Sequence, residues 1–207
     1  MPGQKAPQEY RRSDILRAAY DVAARHGIEA LTVRAVAERA DVSHGTVLFH
    51  FNRRDALVAS LLDSVLEATT VLRVPPAIER LTRPAERLDA LLRAEMDRLS
   101  ADPRPFRLFL EYWALGVRNA LIRRRVSAAL DRYRASFRVI TKSVLADRAA
   151  PRRTNGGRNR TTSTPDGVAA VAVSFIHGCA LQAVIDPKGF SVRQHFDAAA
   201  HMLDGIR

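Results

Sequence analysis

The sequence predicts an all-α protein, and three observations carry that expectation. Ala, Leu, Arg and Val dominate the composition and only 6 % of residues are aromatic, a balance that suits helices better than strands. Apolar residues recur at steps of three and four, most regularly in Ile122, Val126, Leu130, Tyr133, Phe137, Ile140 and Val144, which is the spacing of one helix face. Ser, Thr and Asn residues stand just ahead of several such runs, where a side-chain oxygen can accept an otherwise unpaired backbone N–H.

Met1 to Gln8, with two Pro and one Gly, is expected to be unstructured. Ser13 is placed to cap a first helix with Ile15, Ala19, Val22 and Ala23 on its apolar face, ended by Gly27 after His26. Arg11 and Arg12 near its start read either as solvated or as reaching a phosphate backbone. Thr32 is a second N-cap, followed by Val33, Val36, Ala37 and Ala40 at helical spacing, with a break at Asp41-Val42. Ser43 caps a third, very short helix from His44 to His50. Gly45 lies inside it, where Gly costs roughly 1 kcal/mol relative to Ala, which suggests close approach of a backbone or ligand. Asn52 is read as the cap of the next helix, with Asp55 as its capping-box partner.

Two short helices joined by so tight a turn predict a helix-turn-helix, whose second helix presents its N-terminal residues to the DNA major groove. The plainer reading is a helical hairpin in an ordinary core. A helix as short as His44 to His50 buries little apolar surface, which leaves His44, Thr46 and Phe49 without a core task.

A long helix follows, carrying Leu57, Val58, Leu61, Leu62, Val65 and Leu66 and running to about Arg73 before Pro75-Pro76. Pro84 suits the first turn of the next, which is amphipathic over Leu88 to Leu99 except at Glu95. Asp102-Pro103-Arg104-Pro105 breaks the chain ahead of an aromatic-rich helix, Phe106 to Arg118. The periodic run Ile122 to Val144 then marks a long helix, with Arg123-Arg124-Arg125 near its start read as a solvated cluster or, less simply, as a contact to DNA or an acidic ligand. Ala149 to Pro165, with two Pro, two Gly and several Arg, reads as a mobile basic loop. Gly167 to Ile185 has no formal charge over 19 residues, long enough for a membrane span. Its Ala-rich make-up, the polar Ser174, His177 and Gln182, and the flanking Asp166 and Asp186 argue instead for a helix buried between its own body and a second subunit. Ser191 and Gln194 form a capping box for the last helix, with Val192, His195, Phe196, Ala199 and Met202.

Thr32-Val33-Arg34, Ala37 through Val47, His50-Phe51 and Arg54-Asp55-Ala56-Leu57 resemble the DNA-binding region of the tetracycline-repressor (TetR) family, specifically over about Ser13 to Leu62. The resemblance implies an N-terminal three-helix helix-turn-helix DNA-binding head, residues 1–52, and a helical ligand-binding and dimerisation body, residues 53–207. It implies a ligand-responsive repressor that binds a palindromic operator as a homodimer and is released by a small-molecule effector. His44, Gly45, Thr46 and Leu48 would meet the major groove from a helix capped by Ser43. Thr32, Arg34, Phe49, His50 and Arg54 would hold or lie along the backbone, and Thr46 could serve either role. Arg54 matches the family's usual Lys, which contacts a phosphate. At Leu48 the family usually carries a Tyr that contacts DNA; here the aromatic stands one position later, at Phe49. Leu48 can touch a thymine methyl but cannot hydrogen-bond. That departure sustains one alternative, a small-molecule-binding helical protein that has lost sequence-specific DNA binding.

The rings gathered in a chain otherwise poor in them, Phe106, Phe109, Tyr112, Trp113, Tyr133, Phe137 and Phe175, suit a mostly apolar effector pocket with Arg118, His177 and Gln182 as polar fixtures. They suit ordinary core equally. An apolar or aromatic effector follows from the pocket reading. Dimerisation is expected through residues 167–185 and 191–202, since in this family the last two long helices of each subunit form a four-helix interface.

Charge supports DNA binding only weakly. The chain has 33 Lys and Arg against 22 Asp and Glu, but residues 1–60 hold nine basic and seven acidic residues while residues 104–160 hold fifteen and three. A single cysteine, Cys179, excludes an internal disulfide and fits a reducing cytoplasm. An apolar leader after Met1 is lacking, so secretion is not expected. No His pair or Cys-X-X-Cys spacing signals a metal, no phosphate-cradling glycine loop signals a nucleotide, and no nucleophile with its base signals an enzyme. No cofactor is expected.

Overall fold

The computed structural model describes residues 8–149 and 163–205. Among them lie ten α-helices, one 3-10 turn and no strand. The helices are α1 (Gln8–His26), α2 (Val33–Ala40), α3 (His44–Phe51), α4 (Arg54–Thr70), α5 (Pro76–Glu79), α6 (Pro84–Ala101), α7 (Arg104–Arg118), α8 (Ala120–Ala149), α9 (Pro165–Ile185) and α10 (Val192–Gly205), with the 3-10 turn at Ile28–Ala30. The all-α class is therefore as predicted. The unstructured N-terminus and the basic loop fall almost wholly outside the described residues.

Several boundaries differ from expectation, each for a local reason. Ser13 lies inside α1 and caps nothing, because the helix already begins at Gln8. Asn52 closes α3 instead of opening α4: its φ is +60° and its N–H returns to the Leu48 carbonyl, a conformation that Asn adopts more readily than most residues. The carbonyl of Arg53 then accepts the first N–H groups of α4, from Ala56 and Leu57. At the far end α4 stops at Thr70, and an extended stretch leads to Pro75, which disfavours helix in the residue before it. Pro105 sits in the first turn of α7, where its missing N–H costs nothing, so that helix starts two residues early.

The chain divides into two compact units. The first takes residues up to Thr69 together with Arg104–Ala128; the second takes Thr70–Pro103 and residues from Ala129 onward. Its share of the chain shows that the first unit is larger than the 1–52 segment, taking in α4, α7 and the first turns of α8.

In the first unit α1 packs on α2, and α2 on α3. Ile15, Ala19, Leu31, Val36, Val47, Leu57 and Leu62 are fully buried in its core. Arg39 of α2 pairs with Asp21 of α1, and the Arg12 guanidinium lies 4.9 Å over the Phe51 ring. In the second unit α9 packs against α6 and α10. The Thr141 hydroxyl of α8 donates to the Pro165 carbonyl at 2.9 Å, and Thr164 caps α9 by accepting the Gly167 N–H at 3.0 Å. The Ser191 hydroxyl accepts the Gln194 N–H at 3.3 Å, one of the two bonds of the expected capping box. The helix α9 is long and apolar enough to cross a membrane by length and composition. Its buried residues are Ala169, Ala172, Val173, Ile176, His177, Cys179 and Ala180.

Candidate functional site

The turn between α2 and α3 is built from two caps. Thr32 accepts the Ala35 N–H at 3.1 Å and starts α2. Asp41 ends it in the left-handed conformation, φ +52°, while the Val42 N–H reaches back to the Ala37 carbonyl. Ser43 then accepts the Thr46 N–H at 3.1 Å. Each cap contributes about 1 kcal/mol, and together they fix the angle at which α3 leaves α2. An open depression of about 470 Å³, lined by Arg34, Ala37, Glu38, Asp41, Val42, Ser43 and His44, marks this junction.

Helix α3 divides cleanly by exposure. Val47 and Phe51 are buried against the rest of the unit, His44, Gly45 and Phe49 are exposed, and Thr46, Leu48 and His50 are half-buried. Phe49 is 71 % exposed, and its ring meets His50 edge-on at 5.3 Å. The Thr46 hydroxyl is engaged with Ser43 at 2.8 Å, and the exposed Arg34 guanidinium pairs with the exposed Glu38 at 2.9 Å. Arg54 is the residue whose surroundings differ most from expectation. Its Nε donates to the Leu31 carbonyl at 2.7 Å and its Nη2 to the Ile28 carbonyl at 3.2 Å. It braces the turn before α2.

Sequence reasoning missed the residues that tie α7 to this region within the first unit. Glu111 accepts the Ile28 N–H at 2.8 Å, beside Gly27 at φ +81°. The Tyr112 hydroxyl donates to the Val58 carbonyl of α4 at 2.8 Å; burial, with Glu111 nearby, raises that phenol well above its usual pKa. Arg125 donates to Asp63 at 2.5 Å. None of these bonds has a local pattern, because the partners lie 54 to 83 residues apart.

The rings expected to line a pocket fall into separate groups. In the first unit Phe106, Phe109 and Trp113 follow one another along α7, with centroids 5.6 and 5.7 Å apart; Phe106 and Phe109 are buried and Trp113 is 44 % exposed. In the second unit Tyr133 packs edge-on to Phe137 at 5.3 Å and stacks on His177 at 5.8 Å. Phe175 stands apart from these, half-buried against Phe196 and His195 of α10. Arg118, at the end of α7, and Gln182, on the outer side of α9, are exposed, so neither joins a ring group.

The Tyr133 group has a charged floor. Glu95, only 1 % exposed, accepts the Tyr133 hydroxyl at 2.7 Å and two bonds from Arg98 at 2.6 and 3.2 Å. Burial first, then Glu95, pushes the Tyr133 phenol far up. Burial lowers the His177 imidazole to about 4, so it is neutral at pH 7. Burial also raises the Cys179 thiol, leaving it unreactive. Among the described residues no group of His, Cys, Asp and Glu could hold a metal ion.

Fold and surface together define a helix-turn-helix DNA-binding protein. The comparisons agree: residues 15–61 match the family model for bacterial regulatory proteins of the TetR family, and residues 84–207 match that for the C-terminal region of BetI-type transcriptional repressors. The chain belongs to the TetR family of transcriptional regulators. It is 26 % identical over 193 residues to an HTH-type transcriptional regulator in the dhlA 5′ region of Xanthobacter autotrophicus, covering 90 % of this chain and 86 % of that one. A transcriptional regulator from Pseudomonas aeruginosa PAO1 has the same fold, with a TM-score of 0.77 and 23 % identity over 98 % of this chain and 92 % of that one. So does a transcriptional regulator from Saccharomonospora viridis in complex with choline, with a TM-score of 0.70 and 16 % identity over 95 % and 96 %.

Proposed function

We propose that this regulator is a ligand-responsive repressor that binds a palindromic operator as a homodimer and releases it when a small molecule binds. The carrying observation is α3, capped on Ser43, anchored by Val47 and Phe51, and otherwise turned to solvent. His44, Gly45, Thr46 and Leu48 read base edges in the major groove; Thr32, Arg34, Phe49, His50 and Arg54 position the backbone. The alternative of a protein that has lost DNA binding is not favoured, since α3 is fully formed and presents an uncovered aromatic.

The outer side of α9 supports the dimer. Val171 and Ile185 are 69 and 74 % exposed, and Gly178 between them has no heavy atom near the place of a Cβ. A two-fold pairing of residues 167–185 and 191–202 buries that apolar patch twice. Functionally, residues 1–52 read the operator and residues 53–207 bind the effector and the second subunit. The effector is apolar or aromatic and meets one of the ring groups, either Phe106, Phe109 and Trp113 or Tyr133, Phe137 and His177. The choline bound by the S. viridis regulator supports a small-molecule ligand, and a quaternary ammonium would suit aromatic faces. To release DNA, the effector must bind the DNA-incompetent state more tightly, since equal affinity shifts nothing. Such a protein works in the cytoplasm.

The test is a gel shift with the protein's own promoter region, repeated with small-molecule candidates while Trp113 fluorescence is followed. Specific binding released by a compound that also changes Trp113 emission is expected. Binding indifferent to DNA sequence, or a monomer in sedimentation at micromolar concentration, would overturn the reading.

A further inference from the structure

We infer that the second unit carries a separate binding site for a small amphiphilic anion, a carboxylate with an apolar chain, anchored on Arg87. The site is a cleft of about 300 Å³ between the extended stretch before α5, the start of α6 and the middle of α8, at the small end of the range for ligand pockets. Leu72, Val74, Leu81, Leu91, Val139 and Ile140 give it apolar walls, and Arg87 is the only charged residue lining it.

Arg87 differs from the arginines on either side of it. Arg83 pairs with Glu86, Arg93 with Asp89 and Arg98 with Glu95, each three or four positions away. Among the described residues Arg87 has no such acid, and its Nε–H is shut off from solvent without an acceptor. None of the lining hydroxyls, Thr82, Ser136 or Ser143, accepts from that Nε–H. A buried donor left unmade is unfavourable, and a guanidinium prefers a carboxylate, which can take two parallel bonds. A carboxylate on Arg87 would lay its alkyl chain along the leucine and valine walls. None of the ring residues contributes here, so the site goes beyond the effector reading and does not depend on it.

The test is calorimetric titration of the full-length protein with octanoate, octanol and octylammonium. Octanoate should bind about tenfold or more tightly than octanol, and octylammonium should not bind. Arg87→Met should remove that preference, and because it also removes an unsatisfied donor it should not lower the unfolding midpoint. Methyl NMR of the wild-type protein gives an independent reading: octanoate should shift Leu72, Val139 and Ile140. Equal affinity for octanoate and octanol, unchanged octanoate binding by Arg87→Met, no binding at millimolar concentration, or shifts confined to other methyls would each overturn the proposal.

Discussion

The Glu111 carboxylate of α7 accepts the N–H of Ile28 at 2.8 Å, across 83 positions of sequence, while the carbonyl of the same residue accepts Arg54. One residue is thus held from both sides. Glu111→Ala leaves a buried donor unmade and should cost about 1–3 kcal/mol, read from urea unfolding, with weaker operator binding beside it. Gly27→Ala should cost a similar amount, on the order of 1–3 kcal/mol, because φ +81° strains any other residue. A Cβ there would also meet the Glu111 carboxylate at 3.3 Å. The double variant separates the causes, since losing Glu111 relieves the contact and not the backbone strain.

Arg54 should show two separable effects. Arg54→Ala removes two charge-assisted bonds and should lower stability by about 1.5–3 kcal/mol. If it also touches a phosphate, the salt dependence of DNA binding flattens by about one unit. Arg54→Lys should restore the salt slope but not the stability, because an ammonium lacks the planar fork that spans Leu31 and Ile28.

On α3, Phe49→Ala should weaken DNA binding and leave the melting temperature unchanged, because the ring is in solvent. Leu48→Ala should relax preference for a thymine at one operator position, by about 1–3 kcal/mol if the methyl contact is as specific as a good base contact. A panel of operator variants titrated against both proteins checks this; equal losses on every sequence would exclude the methyl contact.

The buried Glu95 makes Arg98 indispensable. Arg98→Ala should destabilise by about 3–5 kcal/mol through the stranded carboxylate. The double variant Glu95→Leu, Arg98→Met should recover most of that loss, since an apolar pair of similar volume is often neutral. Denaturant unfolding of the three proteins decides it.

His177 should make the second unit sensitive to mild acid. Its folded pKa is lowered by burial to about 4, below the ordinary 6.5, so the unfolded chain binds the proton first. The stabilisation is complete above pH 6.5 and is lost as pH falls toward 4, by on the order of 3 kcal/mol at most. Unfolding midpoints between pH 4 and 7 should fall in the wild type and fall less in His177→Phe.

The helices and the exposed side of α3 were legible because their signals are local. Thr32 and Ser43 sit one residue before their helices, and the apolar spacing of Val36, Val47 and Phe51 shows the inward side. The apolar face of α8 was read from spacing alone. What escaped was non-local. Nothing in the sequence points Glu111 at Ile28. Arg54 matched a phosphate-contacting position, while its actual acceptors are carbonyls at Leu31 and Ile28. The rings were grouped by rarity, and rarity does not report neighbours: Phe175 faces α10, and Arg118 and Gln182 face solvent. Arg87 was invisible because an arginine is marked out only by a missing partner.

The bond from Tyr112 to the Val58 carbonyl sets how α4 and α7 can slip past each other. The hydroxyl is buried, so any displacement that parts it from a carbonyl strands it, at about 1–3 kcal/mol. Fresh acceptors recur along α4 only at the pitch of the helix, about 5.4 Å. Small shifts are therefore opposed, and the bond acts as a latch that holds α7 to one register along α4 within the first unit.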